Sequence, residues 1–279
     1  MNNTIDFIIQ NAIKEDIGDG DHSSLSCIPE NAIGKAQLLI KQEGILAGIE
    51  IAKKIFSAID PAVSMEQFLF DGKALHVGDR AFIVSGKVHS ILKAERLVLN
   101  IMQRMSGIAT ITREYVNKVA GTKAKILDTR KTTPGVRILE KMAVKIGGGE
   151  NHRMGLYDMI MLKDNHVDFA GGIEAAIQKA NHYLKKNNKN LQIEIEARNL
   201  EEVKRILKTG NVHRIMLDNF TPEQTREAVE LINGKYETES SGGITLDTIR
   251  DYAECGVDYI SVGALTHHIK SLDMSLKAI

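Results

Sequence analysis

The 279-residue sequence lacks several features that define specialised classes of protein. It has only two cysteines, Cys27 and Cys255, which are too few for a disulfide framework and stand at no spacing typical of metal ligands. Lysine plus arginine and aspartate plus glutamate each number 36, so no overall field favours nucleic acid or an acidic membrane. Any anion site must therefore be local, and a reducing cytoplasm is the expected compartment.

The sequence also lacks hydrophobic segments that would direct a chain into a membrane. No apolar run reaches the length of a transmembrane helix. The first residues are acidic and amphipathic, without a cationic start or a long apolar centre, so we expect no signal peptide. Internal repeats and low-complexity segments are absent. Hydrophobic residues make up 43% and charged residues 26%, a balance typical of a globular protein with a sizeable core.

Short apolar runs alternate with helix-like segments in the second half of the chain. The runs are AKILD, DMIML, LQIEIE, RIMLD, YETE and DYISV. Helix signals lie between them: Thr133-Pro134-Gly135, an Asn199–Glu202 capping box, Thr221-Pro222, and Thr245 with Gly256 as a stop. This alternation predicts βαβ units and a parallel sheet, and six such strands indicate a barrel or near-barrel.

The first hundred residues have a different pattern. Residues 2–15 predict a helix, and the alternation of Ala36, Leu38 and Ile40 predicts a half-buried strand. Three further strand-like runs, MEQFLFDG, DRAFIVSG and KVHSILK, indicate an antiparallel or mixed sheet. A long apolar helix is then predicted over 94–120, interrupted near Gly107.

These patterns predict two domains in an α/β protein. The predicted N-terminal domain is 1–110, and the second, 111–269, is the barrel. In the tail, Leu272, Met274 and Leu276 share one face, so 270–279 is predicted to return to the first domain as a strand.

Polar and glycine residues follow every strand of the predicted barrel. They are Thr129-Arg130-Lys131, Lys163, Glu196, Asp218-Asn219, Ser241-Gly242-Gly243, and Gly263-Ala264 with Thr266 and His267 beyond. The carboxyl ends of barrel strands converge, and active sites lie there. We therefore expect these groups to form one site.

Three chemistries are present at the strand ends. A basic cluster of Arg130, Lys131, His152, Arg153 and Lys163 suits a ligand with more than one carboxylate. The glycine-rich turn at 241–243 and Gly263 suit a phosphate, because backbone N–H groups and a helix start favour anions. Glu196 and Asp218 are candidate partners for sugar hydroxyls or Mg²⁺.

Structural explanations exist for each residue taken alone. Arg130 and Lys131 could be solvated loop residues, and Lys163 could be a buried partner of Glu196. The histidines His152, His166 and His267 could be loop or core residues, and the glycines at 147–149 a helix end. The functional interpretation rests on the coincidence of six strand ends in series.

The chain resembles the quinolinate phosphoribosyltransferase family over nearly its whole length. The segments that carry the resemblance are EDIGDGD (15–21), ERLVLNIMQRMSGIAT (95–110), DTRKTTPGVR (128–137), GGGENHRMGLYDMIMLKDNH (147–166), EIEARNL (194–200), LDNF (217–220), ESSGGI (239–244) and VDYISVGALTH (257–267). The resemblance implies an N-terminal α/β sandwich and a C-terminal incomplete α/β barrel. It implies that quinolinate and phosphoribosyl pyrophosphate give nicotinate mononucleotide, pyrophosphate and CO₂ with Mg²⁺, in NAD biosynthesis.

The resemblance also implies roles for individual residues. Arg130, His152, Arg153 and Lys163 match residues that hold the quinolinate carboxylates, and Lys131 matches one near the pyrophosphate. Glu196 and Asp218 match carboxylates near the ribose and metal, while Ser241, Gly242, Gly263 and His267 match the 5′-phosphate site. Family members are homodimers, with possible higher oligomers, and Arg96 matches an arginine donated across the interface.

Alternative functions remain open from the sequence. A paralogue linked to molybdenum transport shares part of the pattern. A Schiff-base aldolase would need a strand-end lysine such as Lys163, although that lysine should be desolvated. A non-catalytic binding protein is the third alternative.

Overall fold

The computed structural model describes residues 2–279, and its contacts divide the chain into two units. The first unit contains the chain up to Arg113, together with Thr132–Gly148 and Ala264–Ile279. The second contains Glu114–Lys131 and Gly149–Gly263. The predicted domains 1–110 and 111–269 stay a prediction, because the contact units divide the chain at different positions.

The first unit contains a four-stranded antiparallel sheet with the order β12-β1-β5-β3. Its strands are β1 (Ile33–Ile40), β3 (Ser64–Gln67), β5 (Arg80–Lys87) and β12 (Met274–Ala278), and a separate pair is formed by β2 (Gly44–Ile45) and β4 (Ala74–Leu75). On β1, Ala36, Leu38 and Ile40 are buried, as their alternation predicts. The C-terminal tail pairs with β1.

The helices of the first unit include three that the sequence analysis did not predict, namely α2, α3 and α11. They are α1 (Asn2–Ile17), α2 (His22–Cys27), α3 (Ile49–Ile59), α4 (Val88–Lys118, which runs on into the second unit), α5 (Arg137–Gly147) and α11 (Ala264–His267). The longest of the three, α3, buries Ile51, Ile55 and Phe56. The rings of Phe56 and Phe82 meet edge to face at 6.2 Å, which joins α3 to β5.

Two predictions around α4 are wrong. The run KVHSILK is not a strand, since β5 ends at Lys87 and α4 begins at Val88. Ile91, Ala94 and Val98 are buried at helical spacing, so the segment buries its apolar side chains as a helix. The helix is also continuous through Gly107, where a Cβ would overlap the carbonyl oxygen of Lys270. This glycine allows the tail to approach the helix and does not interrupt it.

Buried polar contacts fasten Thr132–Gly148 to the first unit. Arg104 Nε donates to Glu140 Oε1 at 2.9 Å, and the Glu140 side chain is 1% exposed. The same guanidinium donates to Thr133 Oγ1 at 2.7 Å, and Arg113 Nε donates to the Gly147 carbonyl at 2.8 Å. These contacts explain why α5 belongs to the first unit although it follows β6 in the chain.

The second unit contains the six predicted strands in one parallel sheet with the order β6-β11-β10-β9-β8-β7. They are β6 (Lys125–Leu127), β7 (Ile160–Leu162), β8 (Ile193–Ala197), β9 (Arg214–Asp218), β10 (Glu237–Ser241) and β11 (Tyr259–Ser261). An isolated bridge between Leu127 and Glu150 extends β6 at one edge, while β7 forms the other. The prediction of an incomplete α/β barrel is confirmed.

The helices between these strands follow most of their predicted start signals. They are α6 (Asp164–Ala170), α7 (Ile173–Lys186), α8 (Leu200–Thr209), α9 (Pro222–Ile232) and α10 (Ile249–Glu254). Thr221 caps α9, with Pro222 in its first turn. Asn199 caps α8, but the Glu202 carboxylate binds Arg198 and does not complete the predicted capping box.

The predicted start of the last barrel helix is wrong. Helix α10 begins at Ile249 rather than directly after Thr245. The Thr245 carbonyl accepts from the Ile249 N–H, so the intervening residues form a turn. None of the helices in residues 2–279 is both long and apolar enough to cross a membrane.

Candidate active site

The central strands of the parallel sheet carry charged side chains at alternate positions. On one face lie Glu194 and Glu196 of β8, Arg214 and Asp218 of β9, and Glu237 and Glu239 of β10. Successive side chains of a strand point to opposite faces, so the intervening Ile, Leu and Thr residues face the other way. The strand register places Arg214 between Glu194 and Glu237. One face of this sheet is therefore strongly polar.

Three of these groups, Glu194, Arg214 and Glu239, form a buried cluster with His152, and the exposed Glu237 lies at its edge. The His152 Nε2 atom lies 2.9 Å from Glu194 Oε2 and 3.4 Å from Glu239 Oε2. Arg214 Nη1 lies 2.9 Å from Glu239 Oε2, and Arg214 Nη2 lies 3.0 Å from Glu237. His152, Glu194, Glu239 and Arg214 are each at most 8% exposed.

The contacts of His152 indicate where the protons of this cluster lie. Its Nδ1 accepts from the backbone N–H of Arg153 at 2.7 Å, so the ring carries a proton on Nε2. Burial, and then the charge of Glu239, raises the pKa of Glu194 to about 7. Although burial opposes a charged ring, the two carboxylates raise the pKa of His152 to about 9.

His152, Glu194 and Glu239 could also hold a metal ion, because their ligand atoms lie within 4.8 Å of one another. The Arg214 guanidinium already supplies a positive charge there, 2.9 Å from Glu239. We therefore interpret the group as an ion-pair cluster.

Two guanidinium groups lie in the loops beside β6 and β7. Arg130 lies in the loop that follows β6, and Arg153 lies in the loop that precedes β7. Arg153 is 8% exposed, and its Nη1 atom makes a long hydrogen bond of 3.4 Å to the Met159 carbonyl. Burial, followed by the charge of Arg130, lowers the pKa of Arg153. The Nε atom of Arg130 is buried without a hydrogen-bond partner among residues 2–279. Two adjacent cations with unused donors are suited to bind an anion.

Asp128 holds these two arginine loops together. It is fully buried at the end of β6, and its Oδ1 accepts from the His152 N–H at 2.9 Å. Its Oδ2 accepts from Asn151 Nδ2 at 2.6 Å. On the other side, Thr129 Oγ1 accepts from the Lys131 N–H at 3.1 Å, which closes a turn around Arg130. The sequence analysis missed Asp128, although it directly precedes the basic run.

Lys163, Glu196 and Asp218 meet at the ends of β7, β8 and β9. The Lys163 ammonium binds Glu196 Oε1, and the Asp164 N–H approaches Glu196 Oε2 at 3.4 Å. Burial, and then the charge of Glu196, raises the pKa of Asp218, while Lys163 lowers it. The pairing of Lys163 with Glu196 that the sequence allowed is present, and it lies in the same group of charges as Asp218.

The glycine-rich turn after β10 packs against the loop after β9. Asn219 N donates to the Ser241 carbonyl at 2.8 Å, and Asn219 Nδ2 donates to Asp218 Oδ2 at 2.9 Å. Gly242 has a φ of 101°, and a Cβ there would overlap Asn219 Oδ1. Glycine is therefore required at 242 by both the backbone and the space.

Replacement of Gly242 by alanine should displace Asn219 and, through it, Asp218. We expect the unfavourable φ alone to lower the free energy of unfolding by roughly 1–3 kcal/mol. We expect the loss of activity, expressed as a free energy, to be larger than this loss of stability. Thermal unfolding and steady-state kinetics measure both. The control is Gly234→Ala, where φ is 71° but no atom lies within 4 Å of the added Cβ. An equal activity loss in both variants would show that only backbone strain matters.

The remaining predicted residues lie on loops and helices of both units. Gly263 follows β11 in the second unit, and the exposed Lys131 and Gly243 lie on loops of the same unit. Ala264 and the exposed His267 begin and end α11 of the first unit. Arg96 is exposed on α4, also in the first unit. The predicted roles of these residues, and of His152 as a carboxylate ligand, stay predictions.

A parallel α/β barrel with paired cations and carboxylates at its strand ends defines a class of enzyme that binds an anionic substrate at the barrel mouth. Family models for quinolinate phosphoribosyl transferase match residues 21–106 for its N-terminal domain and 108–277 for its C-terminal domain. The chain therefore belongs to the quinolinate phosphoribosyl transferase family.

Individual relatives agree with this assignment. A quinolinate phosphoribosyltransferase [decarboxylating] from Nicotiana tabacum is 47% identical over 97% of this chain and 81% of its own length. A probable nicotinate-nucleotide pyrophosphorylase [carboxylating] from Bacillus subtilis is 45% identical over 94% and 89%. The crystal structure of NadC from Streptococcus pyogenes superposes with a TM-score of 0.94 at 37% identity, covering 100% of this chain and 98% of that one. The resemblance found in the sequence is confirmed.

Proposed function

We propose that this protein transfers the phosphoribosyl group of phosphoribosyl pyrophosphate to quinolinate, giving nicotinate mononucleotide, pyrophosphate and CO₂ in NAD biosynthesis. The observation that carries the proposal is the buried Arg153 guanidinium beside Arg130, with unused donors on both. Quinolinate carries two adjacent carboxylates, and guanidinium groups bind carboxylates through paired hydrogen bonds. The family membership supports the same substrates.

The cations orient the pyridine ring so that its nitrogen faces C1 of the ribose. Arg130 and Arg153 hold the carboxylates, and Lys163 adds a third positive charge. Holding two reactants in register can supply roughly 7–11 kcal/mol of the barrier. No general base is needed, because the ring nitrogen attacks through its own lone pair.

Carboxylates stabilise the ribose as the pyrophosphate leaves. The C1 carbon then gains oxocarbenium character, and Glu196 and Asp218 place negative charge near it. Lys131 binds the departing pyrophosphate. Once the ring nitrogen is bonded it is cationic, so the C2 carboxylate leaves as CO₂ and the electron pair at C2 takes up a proton.

Magnesium fits the acidic part of the site. Glu196 and Asp218 offer carboxylate oxygens, which Mg²⁺ prefers together with substrate phosphates. The charge of Glu196 acts with burial to raise the pKa of Asp218, and a divalent cation would relieve that repulsion. Bound with the pyrophosphate, Mg²⁺ would supply charge neutralisation for the leaving group.

A homodimer supplies Arg96 from the partner subunit in this proposal. Arg96 is exposed on α4 and available to a second chain. The loop that follows Arg153 exposes Leu156 and Tyr157 by 73% and 75%, which suits a protein partner.

Both cysteines are free, which agrees with a reducing cytoplasm.

The Schiff-base alternative receives less support from Lys163. Its ammonium is 45% exposed and paired with Glu196. A Schiff-base lysine must be neutral, which requires desolvation or a neighbouring cation. Lys163 has a carboxylate beside it instead.

Release of labelled CO₂ from quinolinate carboxyl-labelled at C2 tests the proposal. We expect release that depends on phosphoribosyl pyrophosphate and on added Mg²⁺, with one nicotinate mononucleotide formed per CO₂. Nicotinate, which lacks the second carboxylate, should react at a rate lower by a factor of about 100 or more, since an unpaired buried cation costs roughly 2–5 kcal/mol. Equal rates with quinolinate and nicotinate would exclude the proposed site for two carboxylates.

A further inference from the structure

The backbone of the loop that carries Arg153 is held by side chains rather than by a helix or a strand. Residues 151–159 belong to neither kind of element. Even so, the four successive N–H groups of residues 152–155 each donate to a side-chain acceptor. A loop whose N–H groups are bound in this way has fewer conformations open to it than a solvated loop.

Two aspartates supply three of these acceptors, one aspartate on each side of Arg153. The fully buried Asp128 accepts from the His152 N–H through Oδ1 at 2.9 Å. Asp158 Oδ2 accepts from the Met154 N–H at 2.7 Å, and its Oδ1 accepts from the next N–H along the chain at 2.9 Å. The Arg153 N–H itself donates to His152 Nδ1 at 2.7 Å. The backbone is therefore held on both sides of Arg153.

Neighbouring residues fit closely around both aspartates. Asp128 Oδ2 accepts from Asn151 Nδ2 at 2.6 Å, a hydrogen bond that the charge of the carboxylate strengthens. At the other end of the loop, a Cβ on Gly155 would overlap the ring of Tyr157, so the turn that Asp158 closes is tight. Both ends of the loop thus depend on contacts that one particular side chain makes.

We propose that Asp128 and Asp158 are positioning residues that hold the Arg153 loop in its binding conformation before the substrate arrives. The inference rests on the proposed function, in which Arg153 binds a carboxylate of quinolinate. Paired hydrogen bonds between a guanidinium and a carboxylate require a definite orientation of both groups. A loop that is ordered in advance loses less conformational entropy on binding, and this lowers the KM. Neither aspartate touches the reacting atoms in this role.

Replacement of Asp158 by asparagine should raise the KM for quinolinate about tenfold, because one of the two carboxylate acceptors becomes a donor. Quinolinate must then order the loop as it binds. Once quinolinate is saturating the loop is ordered, so kcat should change by less than about twofold. The KM for phosphoribosyl pyrophosphate should stay the same. A merely structural role would lower the active fraction, and hence kcat, without raising the KM.

A reciprocal exchange tests the contact between Asp128 and Asn151. Asn151→Asp alone sets two carboxylates against each other in place of a 2.6 Å hydrogen bond, so the KM for quinolinate should again rise about tenfold. Adding Asp128→Asn restores a donor opposite an acceptor, and the Oδ1 that binds the His152 N–H remains. The KM of the double variant should return to within about threefold of wild type.

Amide hydrogen exchange tests the loop without turnover and needs only the wild-type protein. In the substrate-free enzyme, the N–H groups of residues 152–155 should exchange about 100-fold or more slowly than unbonded amides. In Asp158→Asn, Met154 and Gly155 should lose most of this protection and regain it with saturating quinolinate. Fast exchange throughout residues 152–155 of the wild type would overturn the inference.

The matched control is Asp258→Asn. Asp258 also accepts a backbone N–H in the second unit, that of Thr238 at 2.8 Å, but it precedes β11 and lies at the opposite end of the strands from the site. This variant should lower Tm and leave both KM values unchanged. An equal rise in its KM for quinolinate would overturn the inference, as would an unchanged KM in Asp158→Asn and Asn151→Asp. Failure of the proposed function looks different, because the wild type then releases no CO₂ from quinolinate.

Discussion

Replacement of Arg153 by alanine should raise the KM for quinolinate by about 100-fold or more, since truncating one partner of a buried charge pair costs roughly 2–5 kcal/mol. The KM for phosphoribosyl pyrophosphate should change little. Arg130→Ala and Lys163→Ala should act in the same direction. Steady-state kinetics with each substrate varied in turn, together with calorimetric titration of quinolinate, measure the effect. Unchanged quinolinate affinity would refute the assignment of Arg153.

The same substitution should not destabilise the fold. Arg153 is 8% exposed and has a single long side-chain hydrogen bond of 3.4 Å, so its removal relieves a buried charge. We expect the free energy of unfolding to stay equal or to increase. Arg205→Ala is the control, because this exposed arginine pairs with Glu174 on the surface and should leave catalysis unchanged. A large drop in Tm for Arg153→Ala would point to a structural role instead.

Two inactive variants should restore activity when mixed, if the active site is shared between subunits. Arg96→Ala and Asp218→Ala should each lose nearly all activity. In a heterodimer of the two, one site has both replacements and the other has neither. Random exchange in a two-fold dimer gives half heterodimers with one intact site each, so we expect about a quarter of the wild-type activity.

The rescue experiment needs proof that subunits have exchanged. Different affinity tags on the two variants allow heterodimers to be isolated by sequential purification. A mixture of Arg96→Ala with Arg153→Ala should also recover activity, because the two replacements again fall on different sites in one heterodimer. Verified heterodimers without activity would exclude an Arg96 contributed by the partner.

Local patterns predicted much of the fold. All six barrel strands were predicted from short runs, most of them apolar, that alternate with helix-like segments, as in RIMLD before Thr221-Pro222. The errors lie where one segment fits both the two-residue period of a strand and the 3.6-residue period of a helix. KVHSILK alternates like a strand over a few residues, yet it begins α4, because Ile91 and Ala94 bury against the core at helical spacing.

The strand-end residues of the candidate site were also predictable in part. Parallel strands bring their carboxyl ends together, so Lys163 and Glu196 were expected to be neighbours, and they are in contact. Glu194, Glu239 and Arg214 were missed, although charged residues at alternate positions of buried strands are a signal for an ionic cluster. Their pairing depends on the register between strands, which no single strand reveals.

The sequence by itself determined the two kinds of sheet, the order of strands and helices in the barrel, and the chemical groups at the strand ends. These properties are local, since periodicity and capping act within a few residues. Only the tertiary structure decided which charges meet. It placed His152 against Glu194 and Glu239, left Arg153 without an internal counter-ion, and joined α5 to the first unit. Those outcomes depend on distances of a few ångströms between segments far apart in the chain, because electrostatic and hydrogen-bond energies change steeply over that range.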